Sequence, residues 1–297
     1  MADRDLFGPN KRKVRELDAR LIERHLGHRK GQLRYLGLPA STLTDLLEWQ
    51  EYFCLFTAVE RGRPGEEYLY QHDLILASMR SGLGSRLSLL RGDLDGILID
   101  GRDSFGNQVK YPFDVVSLDY SGGIIYKDDR GRSKRADSIE RLFKAQSVVD
   151  HSFLLLVSCN LDNEDKGEIR GIFSIIEAHL AKLGLGASRA IQAYLGHELD
   201  EARLKVYVPY LLQSLASRWF QCQHCKPVFY EGNRQTRMMH FSTWIERTAG
   251  LVAGKPARQT LVQIMNLPAF ECKEGTLLET DFGIPKIEIS QGEFEDV

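Results

Sequence analysis

The sequence contains no apolar run that approaches a membrane span of about 20 residues. It also lacks the G-x-S-x-G, Walker and H-E-x-x-H motifs, which argues against several hydrolase, P-loop and zinc-protease classes. Its five cysteines, an odd number in a long chain, favour reduced thiols and a cytoplasmic location. The amino-terminal residues are charged and have no apolar core, so we expect no signal peptide there.

Composition and charge are ordinary for a globular protein. Of the 297 residues 43% are hydrophobic and 27% are charged, and the formal net charge is −2. The distribution is uneven, because residues 1–34 carry ten Lys and Arg against five acids, whereas residues 271–297 carry eight acids against two Lys. Net charge therefore gives no overall attraction to nucleic acid or membrane, although the basic amino-terminal part could contact phosphates locally.

Short apolar stretches that alternate with helical segments predict an α/β fold with a doubly wound, mainly parallel, Rossmann-like sheet. The strands centre near residues 33, 54, 87, 114 and 154, and a terminal antiparallel hairpin is expected over 228–246. Residues 97–110 are expected to loop or pair briefly.

This pattern suggests three parts in the chain. Residues 1–30 would form an amino-terminal cover helix, and residues 31–247 a Rossmann-like domain. Residues 248–297 would be an extension, acidic at its end and extended over its last 27 residues.

The most informative stretch is Pro112–Gly123, PFDVVSLDYSGG. A short buried strand runs directly into Asp119, Tyr120 and Ser121, followed by two glycines. Open α/β sheets bind ligands at the carboxyl ends of their strands. We therefore expect Asp119 to accept a hydrogen bond or a proton from a substrate, and Tyr120 to offer a stacking face.

Three other residues fall at predicted strand ends. Gly37 follows the first strand, where a turn could let the backbone approach a ligand. Glu60 ends the second strand, where an acid can accept hydrogen bonds from ribose hydroxyls. Asp93 follows the third strand and could meet an adenine amino group. An ordinary turn or a solvated acid explains each of these residues about equally well.

The strand order and the stretches FDVVSLDYSGG and SFLLLVSCN resemble the class I S-adenosylmethionine-dependent methyltransferases over roughly residues 31–247. The first stretch is most similar to the motif of tRNA guanine dimethyltransferases. The resemblance implies S-adenosylmethionine as cofactor, held by Gly37, Glu60 and Asp93, with Asp119 and Tyr120 at the methyl acceptor. It also implies a nucleic acid or a nucleotide as substrate.

The motif departs from that family, because Tyr120 and Ser121 replace a proline and an aromatic residue, and the first loop is not glycine-rich. These departures favour an alternative, a methyltransferase-like module that has lost catalysis and binds a protein or nucleic-acid partner. A dinucleotide-dependent Rossmann enzyme is a third possibility, which the missing G-x-G-x-x-G disfavours.

A basic helix over 10–26 and a basic loop over 127–135 would serve an RNA or DNA partner in either of the first two cases. We expect no membrane partner. Cys222-Gln-His-Cys225 is half of a zinc site, which His224, His240 or Cys272 could complete. Redox activity is a further alternative for this pair. Plain thiols are the main expectation, so no metal site is predicted.

Overall fold

The structure is a computed structural model, and it describes residues 8–39, 43–61, 67–120, 122–124, 133–164, 166–184, 189–197, 200–232, 235–247, 258–284 and 286–287. Ser121 and most of the basic loop over 127–135 lie outside these residues. No described helix is both long and apolar enough to cross a membrane.

The described helices follow the strand–helix alternation that the sequence predicts. They are α1 (Pro9–Leu26), α2 (Thr44–Glu48), α3 (Glu67–Arg80), α4 (Leu94–Asp100), α5 (Lys134–Gln146), α6 (Lys166–Lys182), α7 (Arg189–Gly196), α8 (Asp200–Ala216) and α9 (Arg258–Asn266).

All ten described strands belong to one sheet. They are β1 (Leu33–Gly37), β2 (Phe53–Glu60), β3 (Leu87–Arg91), β4 (Val115–Asp119), β5 (Phe153–Asn160), β6 (Phe220–His224), β7 (Val228–Glu231), β8 (Arg237–Arg247), β9 (Ala269–Lys273) and β10 (Thr276–Thr280).

The strand order is β10-β9-β7-β8-β5-β4-β1-β2-β3, with β6 paired to β8. The run β5-β4-β1-β2-β3 is parallel, and β8 joins it antiparallel against β5. This arrangement confirms the predicted Rossmann-like α/β fold with terminal antiparallel strands.

Alternating side chains of the parallel strands feed two separate cores, as a pleated strand requires. Tyr35 of β1 and Leu156 of β5 pack with α1, α2 and α3 on one face. Leu36 and Val157, their neighbours in sequence, pack with α4, α5 and the later helices on the other face. Residues at odd and even positions of a strand therefore point to opposite faces, and this parity decides which helices surround each side chain.

Helix α1 lies across a polar part of the first face. Its Asp18 is 3% exposed and its carboxylate accepts from Ser242 Oγ at 2.9 Å and from His240 Nε2 at 2.9 Å. The other ring nitrogen of His240, Nδ1, lies 2.8 Å from Ser158 Oγ on β5. Because buried polar groups are costly when unpaired, this network holds α1 in one position on the sheet.

The amino-terminal end of α1 is fixed by a second set of contacts. Asn10 donates to the carbonyl of Glu231 on β7 at 3.1 Å and accepts from the backbone N–H of Gly275 at 2.9 Å. Gly275 lies in the turn between β9 and β10. The predicted amino-terminal helix therefore contacts strands that come last in the chain.

The structure departs from the expectations at three places. Residues 94–100 form α4, so the loop expected over 97–110 begins only at Gly101, because Asp93 caps the helix and Gly101 ends it at φ 69°. The brief pairing expected there is present between Arg102 and Gln108. The helical pattern after Gly186 predicts a helix through about Phe220, but Phe220 begins strand β6. Residues 269–280 form the hairpin β9–β10, which adds to the sheet beyond the predicted domain boundary after residue 247.

Replacing Asp18 with alanine should destabilise the fold by about 2–3 kcal/mol, because His240 and Ser242 then lose their shared buried acceptor. The free energy of unfolding from urea titration measures this. Glu16→Ala is the matched control on the exposed side of α1, and it should change stability by less than about 0.5 kcal/mol. Equal effects of the two substitutions would contradict the role given to Asp18.

Candidate active site

The candidate site lies where the strand order reverses. The chain proceeds from β1 to β2 and β3 on one side of β1, then returns to β4 and β5 on the other side. Gly37 at the end of β1 is in register with Ser117 of β4. In open α/β sheets the crevice outside such a reversal is the preferred ligand site.

Asp119 ends β4 and faces α1, because it has the same parity as Val115, which packs in the core beneath α1. Its carboxylate accepts from Lys11 Nζ at 3.1 Å, and the two side chains are 30% and 37% exposed. The negative charge of Asp119 raises the pKa of Lys11, against an opposing effect of burial. Asp119 is therefore a half-buried carboxylate that holds an amine nitrogen at the switch point.

Tyr120 points to the opposite face of the sheet. Its ring is 5% exposed, and the guanidinium of Arg135 lies 4.3 Å from the ring centroid. Its hydroxyl donates to Asp95 Oδ1 at 3.2 Å, and Ser138 Oγ donates to the same oxygen at 2.6 Å. Burial raises the pKa of Asp95, which these hydrogen bonds partly oppose. These contacts give Tyr120 a structural role, and stacking on a substrate stays a prediction.

Gly37 is buried at the end of β1 on the same face as Asp119. A Cβ at this position would lie 2.2 Å from the hydroxyl oxygen of Tyr35. The position therefore admits only glycine unless Tyr35 moves. The nearest cause is packing within the chain, and close approach of a ligand to this backbone stays a prediction.

Glu60 is half-buried at the end of β2, and its parity matches that of Ala58, which packs beneath α1 to α3. It is in register with Arg91 of β3, and its carbonyl accepts from the backbone N–H of Gly92 at 3.1 Å. Glu60 and Asp119 thus lie at strand ends on one face of the sheet, on either side of β1.

Asp93 performs two structural tasks. Its carboxylate accepts from the backbone N–H of Gly96 at 3.1 Å, which caps α4, and it forms an ion pair with Lys134 of α5. Burial acts to raise the pKa of Asp93, but the hydrogen bonds from Lys134 and Gly96 outweigh it and lower the pKa. The pattern of an acid three residues before a helical Gly96 could have indicated this cap.

The five predicted residues therefore divide between the two faces. Gly37, Glu60 and Asp119 lie at the edge on the side of α1, whereas Asp93 and Tyr120 contact α4 and α5. Sequence reasoning missed Lys11, the direct partner of Asp119. Its place in a basic helix indicated a cation, but no local pattern connects residue 11 to residue 119.

A large cleft, with a volume of about 1120 Å³, opens beside the start of α1. It lies between the start of α1, the end of β5, the β7–β8 hairpin and the β9–β10 turn. Lys11 lines this cleft and contacts Asp119, but Gly37, Glu60 and Asp119 are not among the residues that line it.

The C-x-x-C pair lies on and just after β6. Burial raises the pKa values of Cys222 and Cys225, which disfavours the thiolate that binds metal. His224 between them has its pKa lowered to about 3 by burial. Within the described residues, no three His, Cys, Asp or Glu side chains are grouped so that they could hold a metal ion.

Comparison with known proteins gives distant structural likenesses. N-methyltransferase NodS from Bradyrhizobium japonicum WM9 is 10% identical with a TM-score of 0.42, over 80% of this chain and 98% of that one. A putative O-methyltransferase from Klebsiella pneumoniae is 11% identical with a TM-score of 0.42, over 83% and 84% of the two chains. An O-methyltransferase from Bacillus cereus, in complex with SAH, is 11% identical with a TM-score of 0.42, over 80% and 81%.

No protein-family model and no curated protein matches the sequence. The chain's own strand order, with five parallel strands and an antiparallel strand next to the fifth, is that of a Rossmann-like methyltransferase fold.

Asp93→Ser keeps a helix cap but removes the charge that Lys134 contacts, so it should cost about 0.5 kcal/mol at neutral pH. Because the folded-state pKa of Asp93 is lowered, its contribution is present above the pKa of the unfolded chain and lost as the pH falls through the folded value. The free energy of unfolding is measured by urea titration of both proteins at neutral and at acidic pH. The difference between Asp93→Ser and wild type should become smaller as the pH falls. A difference that does not vary with pH would contradict the ion pair's contribution.

Proposed function

We propose that the protein is an S-adenosylmethionine-dependent methyltransferase that acts on a nucleic acid or a nucleotide. The observation that carries the proposal is Asp119, a half-buried carboxylate at the switch point that accepts a hydrogen bond from an amine nitrogen. A substrate whose N–H or O–H group receives the methyl needs a hydrogen-bond acceptor of this kind. The neighbouring structures named above include one in complex with SAH.

The residues on the α1 side of the crevice fit the cofactor. Gly37 presents backbone without a side chain at the end of β1, and Glu60 presents carboxylate oxygens that suit ribose hydroxyls. Asp93 could accept from the adenine amino group only if Lys134 moves away. S-adenosylmethionine, when bound, supplies a methyl group that is already activated on a sulfonium.

The chain's own contribution would be positioning and proton acceptance. Asp119 would orient the attacking N–H or O–H and receive its proton, directly or through water. Lys11 forms an ion pair with this carboxylate. A substrate would therefore have to displace the Lys11 ammonium or share Asp119 with it.

Two ion pairs favour a second candidate, a methyltransferase-like module without catalysis that binds a protein or nucleic-acid partner. Lys11 covers Asp119, and Lys134 covers Asp93, so two of the predicted functional acids are engaged within the chain. A module of this kind would keep the fold and lose the need for cofactor.

The nucleic-acid substrate is supported by the similarity of the stretch FDVVSLDYSGG to the motif of tRNA guanine dimethyltransferases and by α1. Arg12, Arg20 and Arg24 are exposed on this helix and could contact phosphates. The acidic Glu16 and Glu23 lie among them, so the attraction would be local and moderate.

Titration calorimetry with S-adenosylmethionine and with its demethylated product tests the catalytic proposal. We expect binding to the wild-type protein and a loss of about tenfold in affinity for Glu60→Ala, because charged hydrogen bonds to the ribose are removed. Glu51→Ala is the matched control, since Glu51 is an exposed acid near the opposite end of β2. If neither compound binds the wild type, the catalytic proposal fails and the binding module is favoured.

The affinity for RNA and DNA oligonucleotides as a function of salt tests the proposed partner. Replacing Arg12 and Arg20 together with alanine should reduce the slope of log affinity against log salt by about two. Lys30→Ala is the control, because Lys30 already pairs with Glu51 at 2.8 Å. A slope that the double substitution leaves unchanged would exclude α1 as the contact surface.

A further inference from the structure

We propose that Phe105 and Arg91 bind one nucleotide of a single-stranded nucleic acid, with the base stacked on the open face of the Phe105 ring and the phosphate held by the Arg91 guanidinium. Arg91 is the last residue of β3, so the pair lies at the carboxyl edge of the sheet. The proposal rests on the proposed function for the choice of a nucleic acid as partner. It adds a surface that holds the strand outside the candidate site.

Phe105 is an unusual phenylalanine in this chain. It is 68% exposed, whereas the other described phenylalanines are buried or half-buried. Single apolar side chains are often exposed on soluble proteins, so exposure by itself is a weak signal. The contacts that hold this ring in place carry the inference.

A tight turn built on Asp103 presents the ring. Asp103 is 5% exposed, and its carboxylate accepts from the backbone N–H groups of Phe105 at 2.9 Å and Asn107 at 2.8 Å. The same carboxylate accepts from the backbone N–H of Arg91 at 3.1 Å, which attaches the turn to β3. Gly106, at φ 85°, closes the turn by donating to the carbonyl of Asp103 at 3.1 Å. Because the turn is already ordered, a base can stack without the cost of ordering a loop.

Arg91 supplies the cation for this site. Its guanidinium lies 4.9 Å from the centroid of the Phe105 ring and covers one face of it. In the part of the chain that the structure describes, this guanidinium has no hydrogen bond or ion pair. Its N–H groups can therefore donate to a phosphate, whose geometry a guanidinium matches. The opposite face of the ring is left for a base, and bases stack on aromatic side chains in many single-strand sites.

The exposed charge around this pair is positive. Three of the four acids in residues 91–110 are held by hydrogen bonds or ion pairs within the chain, namely Asp93, Asp95 and Asp103. The fourth, Asp100, is exposed, and it is outnumbered by the exposed cations Arg102 and Lys110 together with Arg91. A surface of this kind attracts the phosphates of a nucleic acid.

The pair also lies within reach of the candidate site. Arg91 is in register with Glu60 on the neighbouring strand, and both residues end their strands. From β3 to β4, which ends in Asp119, there are three strand spacings, or about 14 Å. A strand of a few nucleotides spans this distance, so one nucleic acid can contact Phe105 and Asp119 together.

The affinity for a single-stranded oligothymidylate, compared by fluorescence anisotropy with that for an abasic strand of the same length, tests the proposal. We expect the wild type to bind the oligothymidylate more tightly, because only this strand has bases to stack. Phe105→Ala should weaken its binding about tenfold and leave the abasic strand unaffected. The slope of log affinity against log salt should stay the same in Phe105→Ala, since the ring carries no charge, whereas Arg91→Gln should reduce it by about one.

Two further variants serve as controls. Phe105→Trp should keep the affinity, because an indole ring also stacks on bases. Val148→Ala should leave both affinities unchanged, because Val148 is 84% exposed but precedes β5, at the edge where the parallel strands begin.

The proposal is overturned if the wild type binds both strands equally, or if Phe105→Ala binds the oligothymidylate as tightly as the wild type or Val148→Ala does. It is also overturned if Phe105→Ala loses affinity for S-adenosylmethionine and keeps its affinity for the oligothymidylate, in favour of stacking on the cofactor's adenine. A wild type that binds no cofactor but shows the expected base dependence would contradict the catalytic proposal alone.

Discussion

Helix α1 is held on the sheet by charged and polar side chains that β4, β5 and β8 present in one row. Asp119, Ser158 and His240 occupy neighbouring register positions on these strands. Lys11 contacts the first of them and Asp18 the last, seven residues apart on the helix. The candidate site depends on this row, because the same contacts that stabilise α1 also cover the acid at the switch point.

The contacts of α1 with the sheet differ between the middle of the helix and its start. Asp18 is nearly inaccessible to solvent and its interactions are satisfied, so the middle of α1 has little freedom to leave the sheet. Lys11 lies in the first turn of the helix, is partly exposed and interacts mainly by charge. A long flexible side chain can leave Asp119 without moving the helix backbone.

The sequence predicted the architecture well because hydrophobic periodicity reports burial directly. β5 is apolar at nearly every position, as a strand buried on both faces should be, and its neighbour β4 is a short, largely apolar strand that runs into polar residues. It missed β9 and β10, since β10 is an edge strand with exposed, mixed side chains that carry no clear pattern. Helix α4 was missed because a seven-residue helix gives too short a window for its period.

The sequence by itself determined that polar residues follow the buried strands, and therefore that Gly37, Glu60 and Asp119 reach one edge of the sheet. Only the tertiary structure decided what each residue contacts. Asp119 and Tyr120 are adjacent in sequence, yet the two-residue period of a strand directs them to opposite faces, toward α1 and toward α5. Lys11 reaches Asp119 across 108 residues of chain. A pairing of that kind follows from the packing of α1 on the sheet, and no local pattern of residues encodes it.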